Sequence, residues 1–471
     1  MKEKRLGLFL LITLGIGSMI GGGIFNSPTD LIGNANPMAS VFAWLVGGFG
    51  VFTLVLVFQD LAFQRPELKG GIYSYAREGF GEFIGFFSAF GYWIGGLLGI
   101  VAFFPLFFKT LNSLLPKGHG ITPMWAFICG SVALWIITGV IAMGVRDAGI
   151  VNALVTMAKL IPLALVVILG ISVFRSELFF VPDWQTTLVS TGNPTSIFKQ
   201  IQGAMGTILW CFLGVEAAVV LSGRAVSQKV VSQATIWAFF ITLLIYMAVS
   251  TIAMGVVDTK LLAEAATPLS DVLGKTFIGA AGATLVKIGL LISVSGATLS
   301  WILLVVELPW LAAKDGVMPS WFAKENDKGV PIRSLIVTNI LIQIFLLSLL
   351  SEQFQSTYNT IYCMSTSTML IPYIFSGLFA CKLALQENRK GLNLVTGILA
   401  TLYSVFVLYA VGWLYLALTV TFFAIGLIPF HMAKIENKSS YKPLEWVGVV
   451  LFIIGAAYLL GQITTGAINL G

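Results

Sequence analysis

The sequence has few charged residues for its length. Only 10% of its 471 residues are Asp, Glu, Lys or Arg, whereas 57% are hydrophobic and the mean hydropathy is +0.93. A soluble domain has about 25% charged residues, so a chain of this composition cannot cover a surface that faces water. A soluble protein is therefore excluded. The net charge of +6 does not indicate nucleic-acid binding, because basic residues in membrane proteins mostly set orientation.

Residues that bind metals or carry out redox chemistry are also scarce. The chain has two histidines and four cysteines, and the cysteines lie inside apolar stretches without a CxxC pair. His119 is expected in a loop and His431 at a helix end, so neither suggests a catalytic pair. No metal or redox site is therefore expected. The first apolar run lacks a small-residue cleavage site and is expected to stay as a first membrane span.

Long apolar runs recur from end to end of the chain. A bilayer core about 30 Å thick needs roughly 20 apolar residues per helix. Polar turns separate thirteen such runs, and the short loops predict a single transmembrane domain over 1–471. The predicted spans are 7–33, 39–63, 81–113, 123–143, 149–174, 200–223, 232–257, 278–312, 333–350, 356–381, 392–411, 413–433 and 444–465.

Positive charges are distributed unequally between alternate loops. With the N-terminus placed in the cytoplasm, nineteen Lys and Arg residues fall on the inner side and six on the outer side. This bias predicts a cytoplasmic N-terminus in a bacterial-type inner membrane. Lys2 and the loop 313–332 are then expected inside, and an odd number of spans places Gly471 outside.

Glycines interrupt the first and sixth spans. The first contains GIGSMIGGGIFNSP, with glycines at 21–23, and the sixth contains GTILWCFLGVEAAVVLSGR, with Gly206, Gly214 and Gly223 around Glu216. Each glycine weakens a helix by about 1 kcal/mol relative to alanine. Non-helical backbone at membrane depth survives only where it is buried in protein or lines a cavity. The alternative is that these small residues permit close helix packing.

Interruptions in spans one and six are typical of an inverted-repeat transporter. We therefore predict an all-α integral membrane fold of five plus five helices, with broken helices 1 and 6 and 12–13 transmembrane helices. Repeat one covers about 7–174, repeat two about 200–381, and peripheral helices about 392–465. In this architecture half-helix N-termini bind a substrate carboxylate near the middle of the membrane, and freed carbonyls bind its ammonium group.

Four segments of the sequence resemble the amino acid–polyamine–organocation transporters. They are GSMIGGGIFNSP, GGIYSYAREGFGEFIGF, LWCFLGVEAAVVLSGRA and AAKDGVMPSWFAKEN. Within this superfamily the sequence is most similar to the basic amino acid/polyamine antiporters of the arginine–ornithine type. The resemblance extends from Leu6 to about Lys434. The arginine–agmatine branch has serine at Gly22 and asparagine at Gly96, so the resemblance does not imply that selectivity.

The interrupted spans and the resemblance together imply a set of substrate-binding residues. These are Gly21, Gly22, Gly23, Ile24, Trp210, Leu213, Glu216 and Trp301. The glycine break would bind the substrate's carboxylate and α-amino group through its backbone. Trp210 would be the gating aromatic, and Trp301 would stack on the aliphatic stem or guanidinium of the substrate.

Charged and aromatic side chains inside the spans allow two interpretations each. A charge in a spanning helix costs about 2.5–3.5 kcal/mol unless it faces protein or water. Glu216 is therefore either a structural hydrogen-bond acceptor or a site carboxylate that attracts a cation or takes up a proton. Trp210 and Trp301 are interfacial anchors, or they offer cation–π contacts of roughly 0.5–2 kcal/mol. Glu307 is expected to line the inner vestibule or to pair with a basic residue of an inner loop.

Lys159 lies deep in the fifth span, within VTMAKLIPLAL, where it cannot easily reach the membrane surface. It either pairs with a carboxylate or has a role in coupling. Related transporters hold a sodium ion between spans one, five and eight, and the resemblance places Lys159 at that site. Its ammonium would donate to carbonyls freed by the glycine break and would exclude sodium, so sodium-independent transport is expected.

These features predict a secondary active antiporter. It would exchange a cationic, arginine-like amino acid for ornithine or a decarboxylated amine by alternating access. No cofactor is expected, because efflux of the product drives uptake. A proton-coupled amino acid importer is the alternative; an enzyme or a channel would need a catalytic constellation or a ring of charges. The expected partners are small amino acids or amines and the lipid bilayer, and the oligomeric state is left open.

Overall fold

The structure is a computed structural model that describes residues 7–68, 70–116, 118–144, 148–220, 225–351 and 353–465. Lys2, Gly223 and Gly471, which entered the predictions above, lie outside the described residues. The chain is a multi-pass membrane protein, since eleven helices in its described part are long and apolar enough to cross a membrane. The bent pair at the N-terminus brings the number of candidate spans to twelve.

The first five predicted spans contain a broken helix followed by long helices. They comprise α1 (Leu8–Met19), α2 (Gly23–Ile32), α3 (Pro37–Gln64), α4 (Ile72–Phe80), α5 (Glu82–Asn112), α6 (Pro123–Ala142) and α7 (Ala148–Gly170). α1 and α2 form one span with a bend of 42° between them. α4 is a short helix in the loop before α5 and is not itself a span.

The next five predicted spans, together with the loop that precedes them, repeat this order. They comprise α8 (Ser176–Phe179), β1 (Thr187–Leu188), β2 (Asn193–Pro194), α9 (Ile197–Phe212), α10 (Ala217–Val220), α11 (Gln228–Val256), α12 (Thr259–Ala263), α13 (Pro268–Gly274), α14 (Gly279–Lys314), α15 (Ile332–Phe345) and α16 (Phe354–Gln386). The strands form a small antiparallel hairpin in the loop before α9. α9 and α10 are again a broken pair, and short helices again precede the long helix α14.

Three further helices follow in the part of the chain described up to residue 465. They are α17 (Leu392–Val411), α18 (Trp413–Glu436) and α19 (Pro443–Thr464). The sixth predicted span corresponds to α9 and α10, and its end at 221–224 lies outside the described residues. The all-α fold with five plus five helices, broken helices 1 and 6 and 12–13 spans is thus confirmed. The repeat boundaries at about 7–174 and 200–381 stay a prediction.

The centre of the molecule is built around α5, which packs against α14 and α16. Glycines make this close packing possible. A Cβ atom on Gly95 would lie 2.3 Å from Met369 Cγ of α16, and one on Gly96 would lie 2.4 Å from Val305 Cγ2 of α14. These two helices therefore approach the backbone of α5 on different sides. α19, in contrast, exposes most of its apolar side chains, as expected for a helix that faces lipid.

Candidate functional site

The break in span one separates α1 from α2 where the three glycines stand. The chain leaves the α-helix after Met19 and re-enters it at Gly23. A Cβ atom on Gly22 would lie 2.5 Å from Leu106 Cδ2, and one on Gly23 would lie 3.0 Å from the Trp210 ring. Larger residues would displace these neighbours, so the glycines allow both the break and the close approach of other spans.

The break in span six lies between α9 and α10, at 213–216. Gly214 has a φ of +100°, and a Cβ atom there would lie 2.9 Å from the Ser18 backbone. The hydroxyl of Ser18 donates a hydrogen bond to the carbonyl of Gly214 at 3.0 Å. The two breaks are therefore in direct contact, and glycine is required at 214 both for its backbone conformation and for space.

A cavity lies where the two breaks meet. It is lined by Ser18, Met19, Gly21, Gly23, Gly96, Gly99, Phe103, Trp210, Leu213, Trp301, Ser365 and Met369. The centre of a water molecule can move through only about 20 Å³ of this space. Since one water needs roughly 10–15 Å³ by this measure, the cavity has room for one or two waters. The helices must move apart before it can accept an amino acid.

Five of the eight predicted substrate-binding residues line this cavity. They are Gly21, Gly23, Trp210, Leu213 and Trp301. Gly22 points instead toward Leu106 and Val294, and Ile24 is fully buried away from the cavity. Consecutive residues at a helix start point in different directions, so a three-glycine break cannot present every member to one cavity.

Backbone groups at the two breaks give the cavity a polar wall. α2 begins at Gly23 with no side-chain cap, and the first N–H groups of a helix have no acceptor within it. These N–H groups and the positive end of the helix dipole favour a carboxylate. The Tyr246 hydroxyl lies 2.8 Å from the carbonyls of Met19 and Cys211, near the ends of α1 and α9, and shares its single proton between them. Tyr246 thus connects the two breaks.

Trp210 covers the cavity on the side of α2. Its ring stacks on Tyr362 with a centroid distance of 5.7 Å, and its Nε1 donates to the Tyr358 hydroxyl at 3.0 Å. We call Trp210, Tyr358 and Tyr362 the aromatic plug. Phe103 packs against the same tryptophan at 6.0 Å. The gating role of Trp210 stays a prediction.

Trp301 forms the opposite wall of the cavity. It lies on α14, is buried, and donates from Nε1 to the carbonyl of Ser18 at 3.3 Å. This hydrogen bond orients the ring against the end of α1. The ring lines the cavity beside the end of α1.

Glu216 does not line the cavity. Its carboxylate is fully buried and accepts from the Tyr92 and Tyr373 hydroxyls at 2.7 Å each and from the Gly214 N–H at 3.2 Å. The three donors connect the span-six break to α5 and α16. Of the two interpretations of Glu216, the geometry favours the structural acceptor. Because Glu216 accepts from the Gly214 N–H, it fixes the position of the span-six break beside the cavity.

Lys159 lies on α7 and contacts the end of α1. Its Nζ donates to the carbonyl of Gly17 at 2.6 Å and to that of Ile20. In a continuous helix these carbonyls would accept from the N–H groups of residues 21 and 24, so the break frees them. Within the described residues, the hydrogen bonds of Lys159 go to backbone carbonyls rather than to a carboxylate. Ser293 of α14 donates to the next free carbonyl, that of Gly21, at 2.9 Å.

Glu307 lies half-buried on α14 and is not among the residues that line the cavity. Two of the motifs that carry the resemblance meet nearby. Arg77 of GGIYSYAREGF forms an ion pair at 3.2 Å with Asp315 of AAKDGVMPSWF, and the Tyr73 hydroxyl donates to the same carboxylate at 3.0 Å. The pair joins α4 to the end of α14.

Sequence reasoning missed several cavity residues. They are Ser18, Met19, Gly96, Gly99, Phe103, Ser365 and Met369. Spacing offers a partial signal: Gly96, Gly99 and Phe103 follow one another at three and four residues, and so lie on one face of α5. Ser365 and Met369 are also four residues apart on α16, so the same partial signal exists there.

The profile of the amino acid permease family matches residues 6–452. This chain belongs to that family. The permease is also similar along nearly its whole length to curated bacterial transporters. It is 36% identical to an arginine/ornithine antiporter of Pseudomonas aeruginosa, over 97% of both chains. It is 37% identical to a putative arginine/ornithine antiporter of Escherichia coli, over 95% of this chain and 97% of the relative.

A solved structure of a transporter shares the fold of this permease. It is a Na⁺-coupled sialic acid symporter in a substrate-bound, outward-open state. The TM-score is 0.55, the sequence identity is 11%, and the match covers 86% of this chain and 89% of the symporter. At this identity the similarity concerns the fold alone.

Proposed function

We propose that this permease is a secondary active antiporter that exchanges a cationic, arginine-like amino acid for ornithine or a decarboxylated amine. The observation that carries the proposal is the cavity between two broken helices in a chain that matches arginine/ornithine antiporters over almost its full length. Such relatives act on substrates with an amino acid backbone, and the start of α2 offers the N–H groups that a carboxylate needs.

The chemistry of the cavity suits an amino acid with a long cationic side chain. The carboxylate would bind at the start of α2, and the α-amino group would donate to carbonyls near the end of α1. The aliphatic stem and the cation would then lie between the faces of Trp210 and Trp301. The residues that line the cavity within the described structure include no charged side chain, so π faces and carbonyls would have to stabilise the cation.

Closure on both sides of the cavity is compatible with exchange by alternating access. The aromatic plug covers one side, and the contacts of Trp301 and Gly214 with Ser18 close the other. The cavity is too small for a substrate in this state, so substrate binding must stabilise a more open conformation on either side. An exchanger reorients only when loaded, which couples uptake of one substrate to efflux of the other.

Counterflow in proteoliposomes tests this function. Vesicles preloaded with ornithine should take up labelled arginine, and vesicles without internal substrate should not. A panel of labelled lysine, histidine and agmatine would define the substrate range. Uptake into vesicles without internal substrate, driven by a proton gradient, would instead support the proton-coupled importer.

Trp301→Ala should weaken substrate binding about five- to thirtyfold, because a cation–π contact contributes roughly 1–2 kcal/mol. Trp301→Phe keeps a π face and should retain part of the affinity. The measurement is the concentration of external arginine that gives half-maximal counterflow. Trp310→Ala is a matched control, since Trp310 lies nine residues further along α14, near the Glu325 side chain. Equal affinities in the Trp301→Ala variant and the wild type would place the substrate elsewhere.

Orientation in the membrane is a separate prediction. We expect the loop 313–332 to be cytoplasmic in a bacterial-type inner membrane, and the loop 258–277 to be external. In a background without the native cysteines, an impermeant thiol reagent added to intact cells should label Lys260→Cys but not Lys324→Cys. Both positions are exposed, so access is not limited by the fold. Strong labelling of Lys324→Cys would contradict the orientation.

A further inference from the structure

A polar cluster lies beyond the aromatic plug, on the side of the cavity toward which α2 runs. We call it the Asp30 cluster. It consists of Asn26 and Asp30 on α2, Lys109 near the end of α5, and Gln355 and Asn359 at the start of α16. None of these residues lines the cavity. The cluster thus joins three spans at a place where a substrate would pass if the plug moved.

Two side-chain amides connect the ammonium of Lys109 with the carboxylate of Asp30. Asn26 donates from Nδ2 to Asp30 Oδ1 at 2.8 Å, and its Oδ1 accepts from Lys109 Nζ at 3.4 Å. Gln355 donates from Nε2 to the same carboxylate oxygen at 3.2 Å, and its Oε1 accepts from Lys109. The third acceptor for the ammonium is the carbonyl of Ala265, at 3.4 Å. The three N–H donors of Lys109 therefore meet three oxygens that form a site for a cation.

Asp30 has unused capacity to bind a donor. The residue is only 5% exposed, and its Oδ2 atom has no hydrogen-bond partner within the described part of the chain. A buried oxygen of a carboxylate without a donor is unfavourable. Lys109 reaches the carboxylate through the amides and leaves this oxygen available to a second group, such as the further N–H groups of a guanidinium.

Residues on α16 lead from the Asp30 cluster to the cavity. Gln355, Tyr358, Tyr362, Ser365 and Met369 follow one another at three or four residues, which places them on one face of the helix. The first belongs to the cluster, the next two to the aromatic plug, and the last two line the cavity. On α2 the order is the same, since Gly23 lines the cavity and Asn26 and Asp30 follow at three and seven residues.

We propose that the Asp30 cluster binds the ammonium or guanidinium group of a cationic substrate on its way to or from the cavity, and that the ammonium of Lys109 occupies this site when no substrate is bound there. The proposal rests on the proposed function. A substrate ammonium donates to the oxygens of Asn26, Gln355 and Ala265 in place of Lys109, whose ammonium is released. A guanidinium has five N–H groups and can also donate to the free oxygen of Asp30. Because the cavity lining carries no charge within the described residues, the cluster is where a cationic side chain is distinguished from a neutral one.

A small ammonium ion tests the site directly. Lys109→Ala removes the part of the side chain that n-propylammonium resembles. The probe should raise the unfolding temperature of purified Lys109→Ala protein. It should inhibit arginine uptake by this variant competitively, at concentrations at least about tenfold lower than for the wild type, because the ammonium no longer competes with a tethered one. Adding Asp30→Asn to Lys109→Ala should abolish both effects.

Lys287→Ala is the matched control. Lys287 also lies in a span and donates to a backbone carbonyl, that of Ser113, at 2.9 Å. Its variant should respond to n-propylammonium as the wild type does. If Lys109→Ala also responds as the wild type does, the cluster is not a cation site. Should Lys109→Ala fail to fold, Asp30→Asn alone distinguishes the two possibilities. A cation site predicts a several-fold higher half-saturation concentration for arginine at unchanged maximal rate. A cluster that only holds the three spans together predicts a lower maximal rate.

The unfolding measurement does not depend on transport, which separates the two proposals. If the wild type exchanges arginine for ornithine but n-propylammonium has no selective effect on Lys109→Ala, the cation site is refuted and the proposed function is left intact. Selective stabilisation of Lys109→Ala in a permease that exchanges no cationic amino acid would refute the proposed function and leave the cation site intact.

Discussion

Replacing Lys159 with alanine is expected to lower the exchange rate at least about tenfold and to change the half-saturation concentration of the substrate far less. The ammonium is the donor to two carbonyls that the break in span one leaves without helical partners. A buried acceptor without a donor costs about 1–3 kcal/mol. The lost hydrogen bonds weaken the packing of α1 against α7. They lie outside the cavity wall, so we expect the conformational step to slow while substrate binding changes little.

Counterflow rates and half-saturation concentrations of the purified variant provide the measurement, with the unfolding temperature as a check on folding. Lys275→Ala serves as control, because Lys275 donates to the carbonyl of Val256 at 3.0 Å but lies at the exposed end of α13. Replacement of sodium by choline should leave exchange by the wild type unchanged. A strict sodium requirement would discard the proposal that the Lys159 ammonium takes the place of a sodium ion.

Glu216→Ala is expected to destabilise the protein by several kcal/mol, at about 1–3 kcal/mol for each buried donor left without an acceptor. The donors concerned are the Tyr92 and Tyr373 hydroxyls and the Gly214 N–H. Glu216→Gln keeps the shape and one acceptor oxygen, so this variant should fold but turn over more slowly. Tyr373→Phe removes one hydrogen bond and should have a smaller effect on stability.

Thermal unfolding and counterflow of these three variants distinguish the two interpretations of Glu216. A structural acceptor predicts lower stability and lower turnover at similar substrate affinity. A carboxylate in contact with a cationic substrate predicts the reverse for Glu216→Gln, namely a higher half-saturation concentration at unchanged stability. An alanine variant as stable as the wild type would show that the three hydrogen bonds contribute little to the fold.

The amino-acid sequence determined the class of protein and the positions of its spans. Charge content and the lengths of apolar runs are local properties, and a bilayer imposes one dominant requirement on them. The two breaks could also be located, because glycines inside an apolar run weaken the helix at that point. From these breaks and from the family motifs, the sequence predicted Gly21, Gly23, Trp210, Leu213 and Trp301, all of which line the cavity.

Only the tertiary structure decided which polar groups meet. Glu216 was expected in the binding site, but Tyr92 and Tyr373, more than a hundred positions away in each direction, hold it behind the break. The free oxygen of Asp30 and the oxygens around Lys109 likewise come from separate spans. In an apolar helix the sequence pattern does not show which side faces protein, because lipid and protein core are equally apolar. The partners of a buried polar group are therefore set by helix packing across the whole chain.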